Sequence, residues 1–167
     1  MRNRTKKLLL IGALLSLSLI FSYVEASLPP FLPHPAFKIG LIQIPVLLAF
    51  YLFDLKAAGF VSLSKVFLIS LLLGFFLNLL FFVNLAGALV SILFLAAASK
   101  LRFSIFLASV FSSLGHNLGQ FTVIAFSLGL KVAVFYLPFI LVFSVVFGLL
   151  TGLVSRYTLE RIPRRLL

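Results

Sequence analysis

Cysteine is absent from the sequence, and histidine occurs only twice among its 167 residues. The absence of cysteine excludes disulfides, iron–sulfur clusters and thiolate zinc sites. Two histidines without a cysteine also do not predict a transition-metal centre. We therefore expect neither a metal site nor another cofactor.

Acidic side chains are almost as scarce, since the chain holds only Glu25, Asp54 and Glu160. These three lie on different segments, so they predict neither a carboxylate pair for acid–base chemistry nor an oxygen cluster for Mg²⁺. A glycine-rich phosphate loop ending in Lys-Ser or Lys-Thr is also missing, so the chain cannot drive transport with ATP alone. We expect a protein that is not an enzyme by itself and has no catalytic residues.

Long apolar runs, by contrast, fill most of the chain. Hydrophobic residues make up 63% of it and the mean hydropathy is +1.28, whereas soluble domains are about 45–50% apolar. A membrane-spanning helix needs about 20 apolar residues, and six runs approach that length. The runs cover residues 8–24, 39–53, 57–77, 85–99, 103–129 and 132–157. The sequence predicts an all-α integral membrane protein, a six-transmembrane-helix bundle that forms a single domain over residues 1–167.

Basic residues outnumber acidic ones by 14 to 3, which gives a net charge of +11. They lie mainly at the ends of the apolar runs, so they indicate topology and contact with anionic membrane lipid, not nucleic-acid binding. With the N-terminus inside, eleven fall in cytoplasmic segments, and only Lys38 and Lys131 fall outside. This bias predicts a multi-pass protein of the cytoplasmic membrane with both termini in the cytoplasm.

The first run has a second interpretation. Basic residues, an apolar stretch and the small-residue sequence Val24-Glu25-Ala26 also resemble a secretory signal with its cleavage site. The run has 17 residues, and signal peptides usually have about 7–15 apolar residues. We therefore expect it to remain as the first span.

Polar side chains within the fifth run are the main functional evidence. His116, Asn117 and Gln120 follow Ser109 and Ser113, and residues 109, 113, 116 and 120 share one helix face by their spacing. Polar groups are costly inside a bilayer, so this cluster predicts contact with a bound solute. Hydrogen bonds that join neighbouring helices are the alternative, and Gly115-x3-Gly119 would let a second helix approach closely.

Three charged residues are further candidates for solute binding. Lys65 lies within the third run, where a cation needs a partner or a water-filled cavity. The alternative for Lys65 is a long side chain that reaches the cytoplasmic interface. Lys38 and Glu25 face outside on this topology, and their alternative role is an ion pair of low energy in a loop.

Small residues recur along the first run as Gly12-x3-Ser16 and Ser18-x3-Ser22. Such ridges let helices approach closely in a membrane. They predict either packing inside the bundle or a docking face for another membrane protein.

Four stretches together resemble a known family. They are residues 22–25 (Ser-Tyr-Val-Glu), 31–41 (Phe-Leu-Pro-His-Pro-Ala-Phe-Lys-Ile-Gly-Leu), 85–89 (Leu-Ala-Gly-Ala-Leu) and 115–120 (Gly-His-Asn-Leu-Gly-Gln). The family is labelled heptaprenyl diphosphate synthase component I, or Gx transporter, and the resemblance covers about residues 20–155. Where the family pattern has Ala-Asn after Lys-x-Gly-Leu, this chain has Ile42-Gln43, and it has Lys65 where arginine is expected. Both changes keep the polarity, which adds Gln43 to the candidates.

The family is similar to the S components of prokaryotic energy-coupling factor (ECF) transporters. That similarity implies a six-helix protein that binds a small vitamin-like, isoprenoid-like or flavin-like solute from outside. It also implies a separate transmembrane coupling subunit with ATPase subunits, docked through Gly12, Ser16, Ser18 and Ser22. The family label implies an alternative, a non-catalytic membrane subunit of a heptaprenyl diphosphate synthase in quinone biosynthesis. A membrane scaffold that binds no solute is the third hypothesis.

Overall fold

The computed structural model of the protein describes residues 2–27 and 40–162. Within these ranges all regular structure is α-helical. The helices are α1 (Arg2–Ser27), α2 (Gln43–Leu52), α3 (Leu55–Leu72), α4 (Leu79–Lys100), α5 (Ile105–Leu128) and α6 (Leu130–Arg161). This confirms the all-α, six-helix prediction.

Three of the helices begin at polar residues that cap their free backbone amides. The Asp54 carboxylate accepts a hydrogen bond from the Ala57 N–H at 2.6 Å, and the Asn78 side chain accepts one from the Leu79 N–H at 2.6 Å. Ser104 caps α5 through the Leu107 N–H at 3.4 Å. These side chains fix where α3, α4 and α5 start, because the first amides of a helix have no partner within it.

Helix boundaries differ from the hydrophobic runs chiefly between α3 and α4. The third run extends to residue 77, but α3 ends at Leu72, and α4 begins at Leu79, six residues before the fourth run. Gly74 has a φ of 72° in the connection, a conformation that ends a helix readily. The turn is made mostly of apolar residues, so hydropathy alone could not separate it from the helices.

Within the described ranges, four helices are long and apolar enough to cross a membrane. The candidate spans are Arg4–Ser27, Leu55–Leu72, Leu79–Lys100 and Leu137–Arg161. The ten residues of α2 extend only about 15 Å, half of the roughly 30 Å hydrocarbon core. The 24 residues of α5 reach about 36 Å but carry the polar cluster. The structure thus supports a multi-pass membrane protein. Four of its six described helices are candidate spans, whereas the sequence predicted six spans.

Helix α5 packs between α4 and α6 through glycines. A Cβ atom added at Gly119 would lie 2.7 Å from the Ala86 carbonyl carbon, and one added at Gly148 would lie 2.6 Å from the Val110 Cα. A side chain at either position would therefore force the paired backbones apart. In a membrane, close approach of this kind replaces the hydrophobic effect as the source of helix association.

The main apolar core lies at the end of the bundle where α2 ends and α3 and α5 begin. Val46, Leu47, Val61 and Leu95 are buried there, with alanines from α2, α3, α4 and α5 between them. Ile11 and other residues of α1 pack against this core. The opposite half of the bundle holds the polar residues described below.

Asp54 also anchors α1, because its carboxylate pairs with the Lys7 ammonium at 3.0 Å. The Ala57 N–H and then Lys7 hold the pKa of Asp54 below its ordinary value of 3.8. A carboxyl whose pKa is lower in the folded state stabilises the fold above its ordinary pKa, and this contribution is lost as the pH falls through the folded value.

Asp54→Ala should lower the stability by about 0.5–2 kcal/mol at neutral pH, the typical effect of losing a helix cap. Asp54→Asn keeps a capping oxygen and loses only the half-exposed ion pair, so its effect should be smaller, about 0–1 kcal/mol. Melting temperatures in detergent at pH 7 and pH 3 measure both. The difference in melting temperature between wild type and Asp54→Ala should be smaller at pH 3 than at pH 7. An equal difference at the two pH values would show that the ionisation of Asp54 does not contribute to stability.

Candidate solute-binding site

A small polar cavity lies between the end of α1, the start of α2, and the middle of α5 and α6. Its lining residues are Glu25, Gly40, Ile42, Gln43, Ser113, His116, Asn117, Gln120, Phe143 and Phe147. The free space is about 20 Å³, which is room for a single water molecule. Five of the residues expected from the sequence to bind solute therefore meet in one place, although they come from three separate helices.

Glu25 ties the end of α1 to the chain that enters α2. Its side chain is buried, with 6% exposure, and its Oε1 accepts a hydrogen bond from the Leu41 N–H at 2.6 Å. Ser22 and Ser18 continue the same buried face of α1 toward the other end of the helix. Glu25 thus supplies a carboxylate to the cavity while it holds Gly40 and Ile42 against it.

His116 and Gln120 form the α5 wall that faces α4. Their side chains lie one helical turn apart, with Nε2 atoms 3.2 Å from each other. Both rest on Gly87 of α4, where an added Cβ would lie 2.8 Å from the His116 Cε1 and 3.0 Å from the Gln120 Cγ. Sequence reasoning did not assign Gly87 to the site, although the Leu-Ala-Gly-Ala stretch was a signal for it.

Gln43 connects the site to the centre of the bundle. Its Nε2 donates to the Ser91 Oγ at 3.2 Å, and that hydroxyl in turn lies 2.8 Å from the Ser112 Oγ. All three side chains are buried. This chain of hydrogen bonds fixes the start of α2 against α4 and α5.

Asn117 points to the other neighbour of α5. Its Nδ2 donates to the Ser144 Oγ of α6 at 2.7 Å. About two helical turns away, the Ser109 and Thr151 hydroxyls make a similar bond between α5 and α6 at 2.8 Å. Asn117 therefore joins helices, as the alternative interpretation of the cluster proposed, and it also lines the cavity.

An aromatic wall completes the cavity on α6. The Phe143 and Phe147 rings are stacked, with centroids 5.5 Å apart and planes 10° from parallel. Among 21 phenylalanines in an apolar chain, nothing in the sequence distinguished these two. They add a flat apolar surface beside the amide, imidazole and carboxylate groups.

One expected site residue lies elsewhere. Lys65 is buried in α3, with 4% exposure, and does not line this cavity. Lys38 falls outside the described residues. Within the described ranges, no group of three or more His, Cys, Asp or Glu side chains could hold a metal ion.

The four small residues of α1 divide between two faces. Ser18 and Ser22 are buried, at 0% and 2% exposure, and donate to backbone carbonyls of their own helix. Gly12 and Ser16 are exposed, and a Cβ added at Gly12 would meet nothing within 4 Å. Only Gly12 and Ser16 are therefore available to a docking partner in this arrangement.

The fold and the cavity define a small multi-pass helical membrane protein with a polar pocket in its apolar bundle. A solved structure described as "Structure and mechanism of the S component of a bacterial ECF transporter" has the same fold, with a TM-score of 0.75. The match covers 96% of this chain and 99% of that one, at 20% sequence identity. The fold is therefore like that of an ECF S component.

The chain belongs to the heptaprenyl diphosphate synthase component I family, whose profile matches residues 14–158. This confirms the resemblance seen in the sequence. No curated protein sequence matches the chain.

Proposed function

We propose that the protein is the substrate-binding component of an ECF-type uptake transporter. The observation that carries the proposal is the convergence of Glu25, Gln43, His116 and Gln120 in one cavity of an otherwise apolar bundle. Bare structural packing does not require a carboxylate, an imidazole and several amides at a single place, because such groups are costly in a membrane. The S-component fold supports the same reading.

The chemistry of the cavity favours a small solute with a flat ring and both hydrogen-bond donors and acceptors. Stacked Phe143 and Phe147 offer a face for a ring, and the amides of Gln43 and Gln120 can donate or accept. A vitamin-like or flavin-like compound, or an isoprenoid with a polar head, has this character. Ligand pockets of drug-sized compounds measure about 300–1,000 Å³, so solute entry must widen the cavity.

The described basic residues support the proposed orientation with both termini in the cytoplasm. Those at the end where α1, α3 and α5 begin are Arg2, Arg4, Lys6, Lys7, Lys56, Lys100, Arg102, Arg156 and Arg161. At the opposite end of the bundle, Lys131 is the one basic residue among those described. Positive charge accumulates on the cytoplasmic side, which would place Glu25 and the cavity in the outer half of the membrane.

Coupling to ATP hydrolysis then requires partner subunits, because the sequence has no phosphate-binding loop. We propose that a transmembrane coupling subunit docks on the exposed face of α1 at Gly12 and Ser16. Tagged protein purified from its own host should carry a small molecule and copurify with ATPase subunits, both identified by mass spectrometry.

Ser16→Leu should reduce this copurification, since a bulky side chain separates backbones that need close approach. Thr122→Leu is the matched control, because Thr122 of α5 is also exposed and also bonds to the carbonyl four residues earlier, as Ser16 does. Equal loss with both variants, or solute uptake by the chain alone in liposomes, would contradict the coupling proposal.

A second candidate function rests on the family's description. A membrane subunit associated with heptaprenyl diphosphate synthase would copurify with a soluble prenyl synthase in place of ATPases. The same purification therefore discriminates between the two functions.

A further inference from the structure

A second cavity lies at the opposite end of the bundle, where α2 and α4 end and α5 begins. It measures about 260 Å³, and its lining includes Arg102 together with the hydroxyl-bearing residues Tyr51 and Ser99. The rest of the lining is apolar: Phe50, Ala98, Phe103 and Ala108. An arginine, two hydroxyls and an apolar wall form a pocket that can take an anion with an apolar part attached.

Arg102 occupies an unusual backbone position. The Phe103 N–H donates to the Ala98 carbonyl at 3.0 Å and the Arg102 N–H to the Ser99 carbonyl at 3.1 Å. These two bonds define the Schellman motif that ends α4, and they place Arg102 at the residue that must be left-handed, with a φ of 54°. Glycine is the usual residue there, because a side chain in this conformation meets the backbone.

The end of α3 has the longer of these two bonds together with the usual residue. The Phe75 N–H donates to the Ser70 carbonyl at 3.0 Å, and Gly74 takes the left-handed position with a φ of 72°. Helix termination alone is therefore served better by glycine than by arginine. Arginine at residue 102 is therefore less favourable for the turn than glycine, and a role for its side chain in the cavity would offset this disadvantage.

In the described chain, no carboxylate forms an ion pair with Arg102. Asp54 pairs with Lys7, Glu160 pairs with Arg156, and Glu25 lies at the other end of the bundle. None of them lines the second cavity. Lys100 adds another positive charge two residues away.

We propose that this cavity binds the phosphate of an anionic phospholipid headgroup. A guanidinium matches phosphate oxygens with paired hydrogen bonds, and the Tyr51 and Ser99 hydroxyls can donate to the same group. Phe50 and Phe103 would contact the apolar part of the lipid. The surrounding basic residues mark this end as the one that faces anionic lipid. The site is separate from the proposed solute cavity and does not depend on its function.

Arg102→Gly separates a ligand role from a structural one. Glycine suits the left-handed position, so the lipid-free melting temperature of the full chain should stay the same or rise. Phosphatidylglycerol added to the purified protein in neutral detergent should stabilise the wild type more than phosphatidylcholine with the same acyl chains. Its affinity for Arg102→Gly should fall roughly 10- to 150-fold, the range for hydrogen bonds to a charged group. Lys100→Gln is the matched control and should keep most of the stabilisation.

Three results would overturn the proposal. One is stabilisation of Arg102→Gly by phosphatidylglycerol equal to that of the wild type. Another is an equal loss in Lys100→Gln, which would indicate general charge attraction. The third is full protection by inorganic phosphate alone, which would assign the cavity to a soluble phosphate compound and not to a lipid. Arg102→Lys keeps the charge without the paired geometry and should bind with intermediate affinity.

Discussion

Gly119→Ala should destabilise the protein by about 1–3 kcal/mol, the typical cost of overpacking, although it adds a single methyl group. The new Cβ would lie 2.7 Å from the Ala86 carbonyl carbon and 2.9 Å from the Gly87 Cα. Both obstacles are backbone atoms of α4, so no side chain can turn aside to make room. The two helices must separate along the interface that also carries His116 and Gln120.

Gly59→Ala is the matched control for this prediction. A Cβ at Gly59 has Ile92 Cδ1 as its nearest neighbour, at an ordinary 3.9 Å. Alanine in a helix interior is favoured over glycine by about 0.5–1 kcal/mol, so this variant should be as stable as the wild type or more so. The fraction of protein that stays monodisperse after heating in detergent measures both variants. A Gly119→Ala protein as stable as Gly59→Ala would show that α4 and α5 do not pack as described.

Asn117→Ala should weaken solute binding about 5–150-fold, whereas Ser144→Ala should leave binding nearly unchanged. Each substitution removes the same 2.7 Å bond between α5 and α6, but only Asn117 lines the cavity. If Asn117 also bonds the solute, its loss leaves a ligand group unpaired, at a cost of about 1–3 kcal/mol. The pair thus separates the two roles of one side chain.

The stability of the empty protein is the internal control. Hydrogen bonds between helices in membranes average about 0.6 kcal/mol. The melting temperature should therefore fall by a similar, small amount in both variants. Binding is measured as the amount of solute retained after purification and washing, with the solute identified by mass spectrometry. Equal retention in the two variants would assign Asn117 to packing and leave His116 and Gln120 as the α5 groups to test.

Much of the architecture could be predicted from the sequence because the surrounding lipid requires most of the chain to be apolar. Apolar runs located six helices, and the charge bias suggested their orientation. The errors arose where apolar residues form something other than a full span. The turn at Gly74 is as hydrophobic as the helices it joins, and α2 is short because three residues before Gln43 already belong to the turn that leads into it.

The candidate site was predictable only on its polar side. His116, Asn117 and Gln120 stood out because such side chains are rare in an apolar helix. Their directions could not be read from spacing alone, since His116 turns toward Gly87 and Asn117 toward Ser144. Phe143 and Phe147 carried no signal among many phenylalanines. Likewise, Ser16 and Ser18 have the same size and chemistry, and only the packing of α1 determines which one is exposed.

The shortness of α2 also bears on how the protein is made. Insertion into the membrane selects stretches of about 20 apolar residues, and the ten residues of α2 fall well short. We expect α2 to enter the membrane only as a hairpin with α3. Its position should become fixed later, once Ser91 of α4 can accept the hydrogen bond from Gln43. A ribosome-stalled chain in which a soluble spacer long enough to clear the ribosome replaces α4 and the residues after it should therefore leave α2 accessible to a water-soluble thiol reagent at an introduced cysteine, and a chain that includes α4 before the same spacer should protect it. Insertion of α2 into the membrane would then depend on tertiary folding, because contact with α4 stabilises its position.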